Sequence, residues 1–459
     1  MFLTDEARRE NARSLAAAIG LAEDAAAELL SCSALISATP DTSQLGEQVQ
    51  ILLGHTLLEV SSETGEDSPA VEIVIGDALP RSHAPTLWVW IDAEGVSFGS
   101  TPPNVREHHA LHLSEAIVAA CYVCAGAVKL IVGEQLPFTP PDPFRIDLDT
   151  LKVTSEMQSA PFEVGSYLAG AGAIGNAFLW TLRAFHPRGI LHVVDFDTVK
   201  PGNLNRQVFF TSLDVGKPKA AQLALNAQPF LPALQLKARE GRLQDLPERA
   251  DPKWLEELIV GVDSLRARRS LQDELPKRVF DASTTNIEEV ILHFHEQPAE
   301  GACLSCAYPP TPAELEHAKH VAEALGVGLA EVQAGEISSI AARKIVLRHP
   351  SLDPAALEGE SYDSLFKALC GQQLLGSTEG RQVLAPFAFV SVLAGALLAI
   401  EYVRWKVHGP SPHNGWRVSP WAPPLSRLQR YQPRLEQCIF CRDSAVRDYA
   451  AKLWSEDQD

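Results

Sequence analysis

The sequence predicts an α/β protein, and three observations carry that reading. Hydrophobic residues make up 46% of the 459 residues and charged residues 21%, which excludes a disordered or fibrous chain. At roughly 150 residues per domain, the length suits two or three domains. Second, strand-like SYLAG at 166–170 runs directly into a glycine-rich turn and an apolar helical stretch, and strand-like ILHVVDFD follows at 190–197, the opening of a βαβ unit. Third, two apolar runs of helical length, 114–133 and 391–409, close the two halves of the chain with the same small-residue start and the same Lys-then-Gly finish. A duplication produces that match and so does coincidence, and the pattern alone leaves both open.

Taken in order, the chain begins with an Ala-rich helical stretch over 6–30, followed by strand signals in VEIVIGD at 71–77 and TLWVWIDAEGVSFG at 86–99. The Pro-rich segment LPFTPPDPF at 136–144 is the best candidate linker. In the second half a helix is expected from Ile174 to Phe185. Residues 383–400 hold no charge and reach the lower limit for a membrane span, but Pro386, Ser391 and Gly395 interrupt them and Glu401 and Arg404 follow. A buried core strand and helix is therefore expected there, with no membrane partner. The balance of 58 acidic against 39 basic residues gives a formal charge of −19, and no block of five or six Lys or Arg is present, which argues against a nucleic-acid partner. The N-terminus, MFLTDEARRENARS, carries acids and no apolar core of a signal peptide, so the expected location is cytoplasmic.

The turn after the first strand of the second half is Gly170-Ala171-Gly172-Ala173-Ile174-Gly175, and Asp195 lies twenty residues beyond Gly175 at the end of the next strand. Glycines there permit a tight turn and close phosphate approach, the helix N-terminus favours phosphate charge, and an acid at that distance can bond a ribose hydroxyl. The pattern points to a nucleotide, against a tight turn with no ligand. Next comes Asp195-Phe196-Asp197-Thr198-Val199-Lys200-Pro201-Gly202-Asn203-Leu204-Asn205-Arg206-Gln207, then Val215-Gly216-Lys217-Pro218-Lys219-Ala220. A dehydrogenase needs no such cluster. Taken singly, Arg206 reads as a solvated loop charge and Lys219 as a helix-starting lysine.

As a whole, the run resembles the signature of the ubiquitin-activating (ThiF/MoeB-like adenylating) superfamily, whose members adenylate the C-terminal carboxylate of a small protein. The resemblance implies a Rossmann-like adenylation domain that binds ATP through Gly170, Gly172, Gly175, Asp195, Asp197, Asn203, Arg206 and Lys219. Attack of a carboxylate on the α-phosphate builds charge that fixed Arg and Lys donors stabilise, which are the catalytic roles implied for Arg206 and Lys219. Downstream, Ile259-Val260-Gly261-Val262-Asp263-Ser264-Leu265-Arg266-Ala267-Arg268 resembles the family's Asp-Asn-x-x-x-Arg segment. By that resemblance Asp263 holds Mg²⁺ at the phosphates, with Ser264 in place of the usual Asn. Without it, Asp263 reads as a helix cap.

Two CxxC knuckles, Cys303/Cys306 and Cys438/Cys441, have the spacing of a closed four-thiolate structural Zn²⁺ site, with buried reduced thiols as the alternative. A third pair, Cys121 and Cys124, lies within the apolar run and reads as core packing. Cys32 and Cys370 remain, and the resemblance implies that Cys370, which alone of the two lies in the largely helical insertion, is the thioester cysteine. A thiol at a helix C-terminus before Gly371 is disfavoured by the dipole, Lys367 offsets that, and a structural thiol stays as the alternative.

The domains implied are a degenerate, inactive adenylation domain over 1–150, an active one over 160–306 and 381–441, a helical catalytic-cysteine insertion over 307–380 and a tail over 442–459. The fold class implied is thus an α/β pseudo-dimer within one chain, with a further homodimer left open. In relatives an arginine from the opposite N-terminal helix reaches the nucleotide, and Arg8, Arg9 and Arg13 stand in that helix here. The function implied is ATP-dependent activation of a ubiquitin-like protein, thioester formation and transfer to a conjugating enzyme. With no C-terminal ubiquitin-fold domain expected after Cys441, the layout resembles the compact activating enzymes of bacterial conjugation operons linked to antiphage defence. The alternatives are an adenylating enzyme without a thioester step, serving a sulfur carrier, peptide or tRNA, and a non-catalytic pseudo-enzyme subunit.

Overall fold

The computed structural model describes residues 3–65, 68–103, 109–298, 300–333, 335, 337–358, 362, 365–366, 369, 385–425, 428–438 and 440–455. Among them, strands β1 (Ser33–Ala38), β2 (Glu59–Ser61), β3 (Val71–Ile75), β4 (Thr86–Ile91), β5 (Gly95–Gly99) and β6 (Phe144–Asp147) form one sheet in the order β2-β1-β3-β4-β5-β6. Strands β7 (Pro161–Ala169), β8 (His186–Asp195), β9 (Leu234–Glu240), β10 (Glu257–Val260), β11 (Arg278–Thr285), β12 (Glu289–Glu296), β13 (Gly415–Val418) and β14 (Gln429–Arg430) form the other, in the order β14-β13-β12-β11-β10-β7-β8-β9.

The first sheet matches the inner six strands of the second, and β9 and β14 have no counterpart. The series β2-β1-β3-β4-β5-β6 has the same sequence of parallel and antiparallel neighbours as β8-β7-β10-β11-β12-β13. In each, a long apolar helix, Leu113–Val132 in the first and Ala388–His408 in the second, is inserted between the two antiparallel strands.

These closing helices pack on one another, and a Trp180 Nε1 hydrogen bond to Gln48 Oε1 at 3.0 Å links helix Ala173–Leu182 to helix Ser43–Gly54. Each closing helix ends at a glycine with positive φ, Gly133 at 68° and Gly409 at 80°, which stops the helix at little steric cost. Both are long and apolar enough to cross a membrane by composition, yet 72% and 94% of their apolar windows are buried inside the protein. Gly395 explains how closely the second one fits, because a Cβ there would lie 2.4 Å from Ala177 Cβ on the glycine-loop helix.

Several boundaries differ from the sequence expectation. The strand expected at the start of 383–400 is not seen in the described residues, where Ala388 begins one unbroken helix with Phe387 as its N-cap. An apolar run buried on every face carries no period to separate strand from helix. The Ala-rich stretch splits at Gly20, φ 71°, into helices Asp5–Ile19 and Glu23–Leu30. The Pro-rich segment is no linker: Leu136 is buried, Phe138 stacks on Trp421 at 4.8 Å, and Phe144 begins β6, paired with β5. Sequence composition cannot see that an edge of the first sheet is open to receive it.

The helix expected over 174–185 runs Ala173–Leu182, and β8 begins at His186, four residues early, because its Pro187 and Gly189 pair with β7. One hydrophobic core spans both sheets. Helices Pro312–Leu325 and Ser339–Arg348 build a separate cluster around Val321, Leu325, Val332, Ile345 and Tyr362.

Candidate adenylation site and cysteine cluster

The C-terminal ends of β7, β8 and β10 converge, and the glycine-rich turn lies between them. Gly170 has φ 101°, and a Cβ on it would stand 2.9 Å from Gly261 carbonyl carbon just past β10. A Cβ on Gly175 would stand 2.2 Å from Gly170 O, so the helix start cannot rise closer to the strand with any larger residue. Asn176 ties the turn down, donating from Nδ2 to Ala171 O and Gly172 O at 3.0 and 2.9 Å while its Oδ1 accepts from Phe209 N at 3.1 Å. The carboxylate of Asp195 accepts from Ala171 N at 2.7 Å and from Asp197 N at 2.8 Å. It thereby staples the turn to the loop after β8, a role beside the ribose contact expected of it. Burial raises its pKa, an effect the Lys219 charge opposes.

Lys219 opens helix Lys219–Ala227 and is buried, with its Nζ 3.0 Å from Asp197 Oδ2. Asn203 Oδ1 accepts from Lys200 N at 3.1 Å and caps the turn Pro201–Asn205, which presents Arg206. Burial lowers the Arg206 pKa against the opposing charges of Glu10 and Asp263, and a guanidinium stays protonated throughout. Asp263 is exposed at the end of the β10 loop. It is not the helix cap: Ser264 Oγ accepts from Ala267 N at 3.3 Å and takes that role, because it is Ser264 that immediately precedes the first helical turn. The Asp263 carboxylate is thus not committed to the helix cap, and its charge acts on Arg206. Arg268 is fully buried against Asp281 at 2.8 Å, and Arg269 pairs with Glu314 of helix Pro312–Leu325.

No sequence motif announces the first-half residues that bond to this turn, among them Thr4, whose Oγ1 donates to Pro201 O. Asn11 and His55, both buried, touch the Pro201–Asn205 turn, and neither sits in a motif that could have flagged it. Of the three N-terminal arginines, Arg13 is engaged by Glu10 and Glu23 at 2.9 and 3.4 Å and Arg9 is exposed. Arg8 has a buried Nε with no partner among the described residues.

Cys303, Cys306, Cys438 and Cys441 come together although 131 residues separate the pairs. Their sulfurs lie 3.4 to 3.8 Å apart in the close contacts, and all four lie within 4.8 Å of one another. Four thiolates each about 2.3 Å from a shared tetrahedral ion stand about 3.8 Å apart, so the donor set and spacing fit zinc. Leu435 N donates to Cys306 Sγ and Cys441 N to Cys438 Sγ, both at 3.4 Å, the backbone donors that thiolates accept. Cys121 and Cys124 are buried in the core, and burial pushes both thiols well up, as suits packing. Cys32 is half-buried and likewise raised. Cys370, with Lys367 and Gly371, lies outside the described residues.

A mixed α/β sheet whose parallel strand ends carry a glycine turn of this kind marks a nucleotide-binding class of protein. The ThiF family model matches residues 148–414, and the chain belongs to that family. The model for the E1 N-terminal domain matches residues 4–154. Uncharacterized protein y4jF of Sinorhizobium fredii is 26% identical over 412 residues, 84% of this chain and 78% of that one. The NEDD8-activating enzyme E1 catalytic subunit of Saccharomyces cerevisiae is 29% identical over 160 residues, 32% of this chain and 52% of that one. Its Caenorhabditis elegans counterpart is 32% identical over 158 residues, 31% of this chain and 36% of that one. The chain thus aligns with about half or less of these E1 subunits. An adenylating ThiF fold implies ATP and Mg²⁺.

Proposed function

We propose that this protein activates the C-terminal carboxylate of a ubiquitin-like protein with ATP. The carboxylate attacks the α-phosphate and pyrophosphate leaves. Arg206 and Lys219 hold the charge that builds on the phosphates, and the glycine turn and helix N-terminus receive them. Asp263 is the residue to hold Mg²⁺, which would neutralise the leaving pyrophosphate. The thiol of Cys370 then attacks the acyl-adenylate, AMP leaves, and the resulting thioester passes to a conjugating enzyme. The observation that carries the reading is the convergence of Gly170, Lys219, Arg206 and Asp263 from four separated stretches onto one end of the second sheet.

Residues 1–150 are read as a degenerate adenylation domain and the chain as a pseudo-dimer, a reading supported by the matched strand order. The active domain is assigned to 160–306 and 381–441, the insertion to 307–380 and the tail to 442–459. The separate core of the insertion supports its boundary. The four clustered cysteines are assigned a structural Zn²⁺ that pins the two ends of the active domain. A cytoplasmic setting suits free thiols, and a place in bacterial antiphage conjugation rests on the domain layout alone.

Pyrophosphate–ATP exchange tests the core of this. Exchange should depend on a ubiquitin-like protein and vanish in Asp263→Ala. Undiminished exchange in that variant would remove the Mg²⁺ role, and exchange driven by a short peptide instead would favour an enzyme that stops before the thioester.

A further inference from the structure

The Arg206 guanidinium is held by a hydrogen-bond relay that begins in the first half of the chain. Arg206 Nη1 donates to Asn205 Oδ1 at 2.6 Å, Asn205 Nδ2 donates to Asn11 Oδ1 at 2.8 Å, and Asn11 Nδ2 donates to His55 O at 2.7 Å and to Thr56 O at 3.5 Å. Both asparagines are fully buried, at 0% exposure, so water does not substitute for a lost partner.

The relay can run in one direction only. A guanidinium has donors and no acceptor, so Asn205 must show it Oδ1 and turn its NH₂ to Asn11. The far end consists of backbone carbonyls, which only accept, so Asn11 must show them its NH₂ and keep Oδ1 for Asn205. A second tether fixes the backbone just before Asn205. His55 Nδ1 lies 2.7 Å from Leu204 O, and because that carbonyl only accepts, Nδ1 carries the proton. Thr4 Oγ1 donates to Pro201 O at 3.0 Å at the start of the same turn.

Resting on the adenylation reading above, we propose that Asn11 of the N-terminal helix is a positioning residue for Arg206, acting through Asn205. Removing the Asn11 side chain frees Asn205 to rotate, and a rotated amide presents NH₂ rather than oxygen to the guanidinium. The Arg206 charge is then present but keeps only the longer Nη1 bond to Gly202 O at 3.4 Å.

The test is a double-mutant cycle in pyrophosphate–ATP exchange. Asn11→Ala should lower the maximal rate about tenfold, the scale of one charge-assisted hydrogen bond, with the ATP KM within about twofold of wild type. In an Arg206→Ala background the same change should cost nothing further. Losses that multiply across the two backgrounds would overturn the proposal, since a merely structural role adds to any other defect. Guanidinium NMR of the free wild-type protein reads the relay without turnover: slowed rotation about the Arg206 Cζ–Nη bonds is expected, and free rotation would overturn it. A wild-type protein with slowed rotation and no exchange would instead remove the adenylation reading and leave the relay standing.

Discussion

Gly170 and Gly261 meet backbone against backbone, so closely that a Cβ on Gly170 would stand 2.9 Å from both the carbonyl carbon and oxygen of Gly261. The contact sets the glycine turn against the loop that ends at Asp263. Gly170→Ala carries two penalties at once, that clash and a φ of 101° outside the range of L side chains. It should cost about 1–3 kcal/mol in denaturant unfolding and weaken Mg·ATP binding measured by calorimetry. Unchanged ATP affinity in a folded variant would separate the turn from the nucleotide.

Zinc should be found at one per chain by elemental analysis and be lost in Cys438→Ser. The ligands must be thiolates, so affinity should fall as pH falls and protons compete for sulfur. The loss should lower the melting temperature more than the exchange rate, because the knuckles tie residue 303 to residue 441 and stand apart from Arg206 and Lys219. Native protein without metal would remove the assignment.

Cys370→Ala should keep pyrophosphate exchange, since adenylation precedes thiol attack, while losing any reductant-cleavable adduct with the ubiquitin-like protein. A gel run with and without thiol checks this, and an adduct that persists in the variant would move the assignment to another cysteine.

Glu257 at the start of β10 accepts from Lys406 at 2.7 Å, Ser166 at 2.7 Å and Tyr402 at 3.1 Å, joining the second closing helix to the sheet. Burial alone would raise its carboxyl, but Lys406 and the two hydroxyls outweigh burial and hold it below the usual value. A depressed carboxyl stabilises the fold above its unfolded pKa, about 4.3, and that contribution is lost as pH falls through the folded value. Glu257→Gln should therefore cost about 3 kcal/mol at neutral pH, with Lys406 left unpaired, and the gap to wild type should narrow below about pH 4. A gap constant from pH 7 to pH 3 in urea unfolding would contradict this.

What the sequence determined by itself is what local chemistry dictates. A strand running into glycines that only a tight turn requires, an acid at the next strand end and two CxxC pairs are readable because each depends on neighbours within a few residues. The closing helices were readable by length, apolarity and their glycine stops, although not the helical start of 388–408, where burial on every face erases the period. Tertiary structure alone decided the rest. The matched order of the two sheets depends on pairing between distant strands, and the first half carries no glycine turn to announce it. Whether Asp263 or Ser264 capped the helix depended on which of them preceded its first turn. Asn11 looks like any polar residue in an Ala-rich helix. It gains its role 194 residues away at Asn205, because two buried amides between an arginine and a backbone carbonyl can be satisfied in one orientation only.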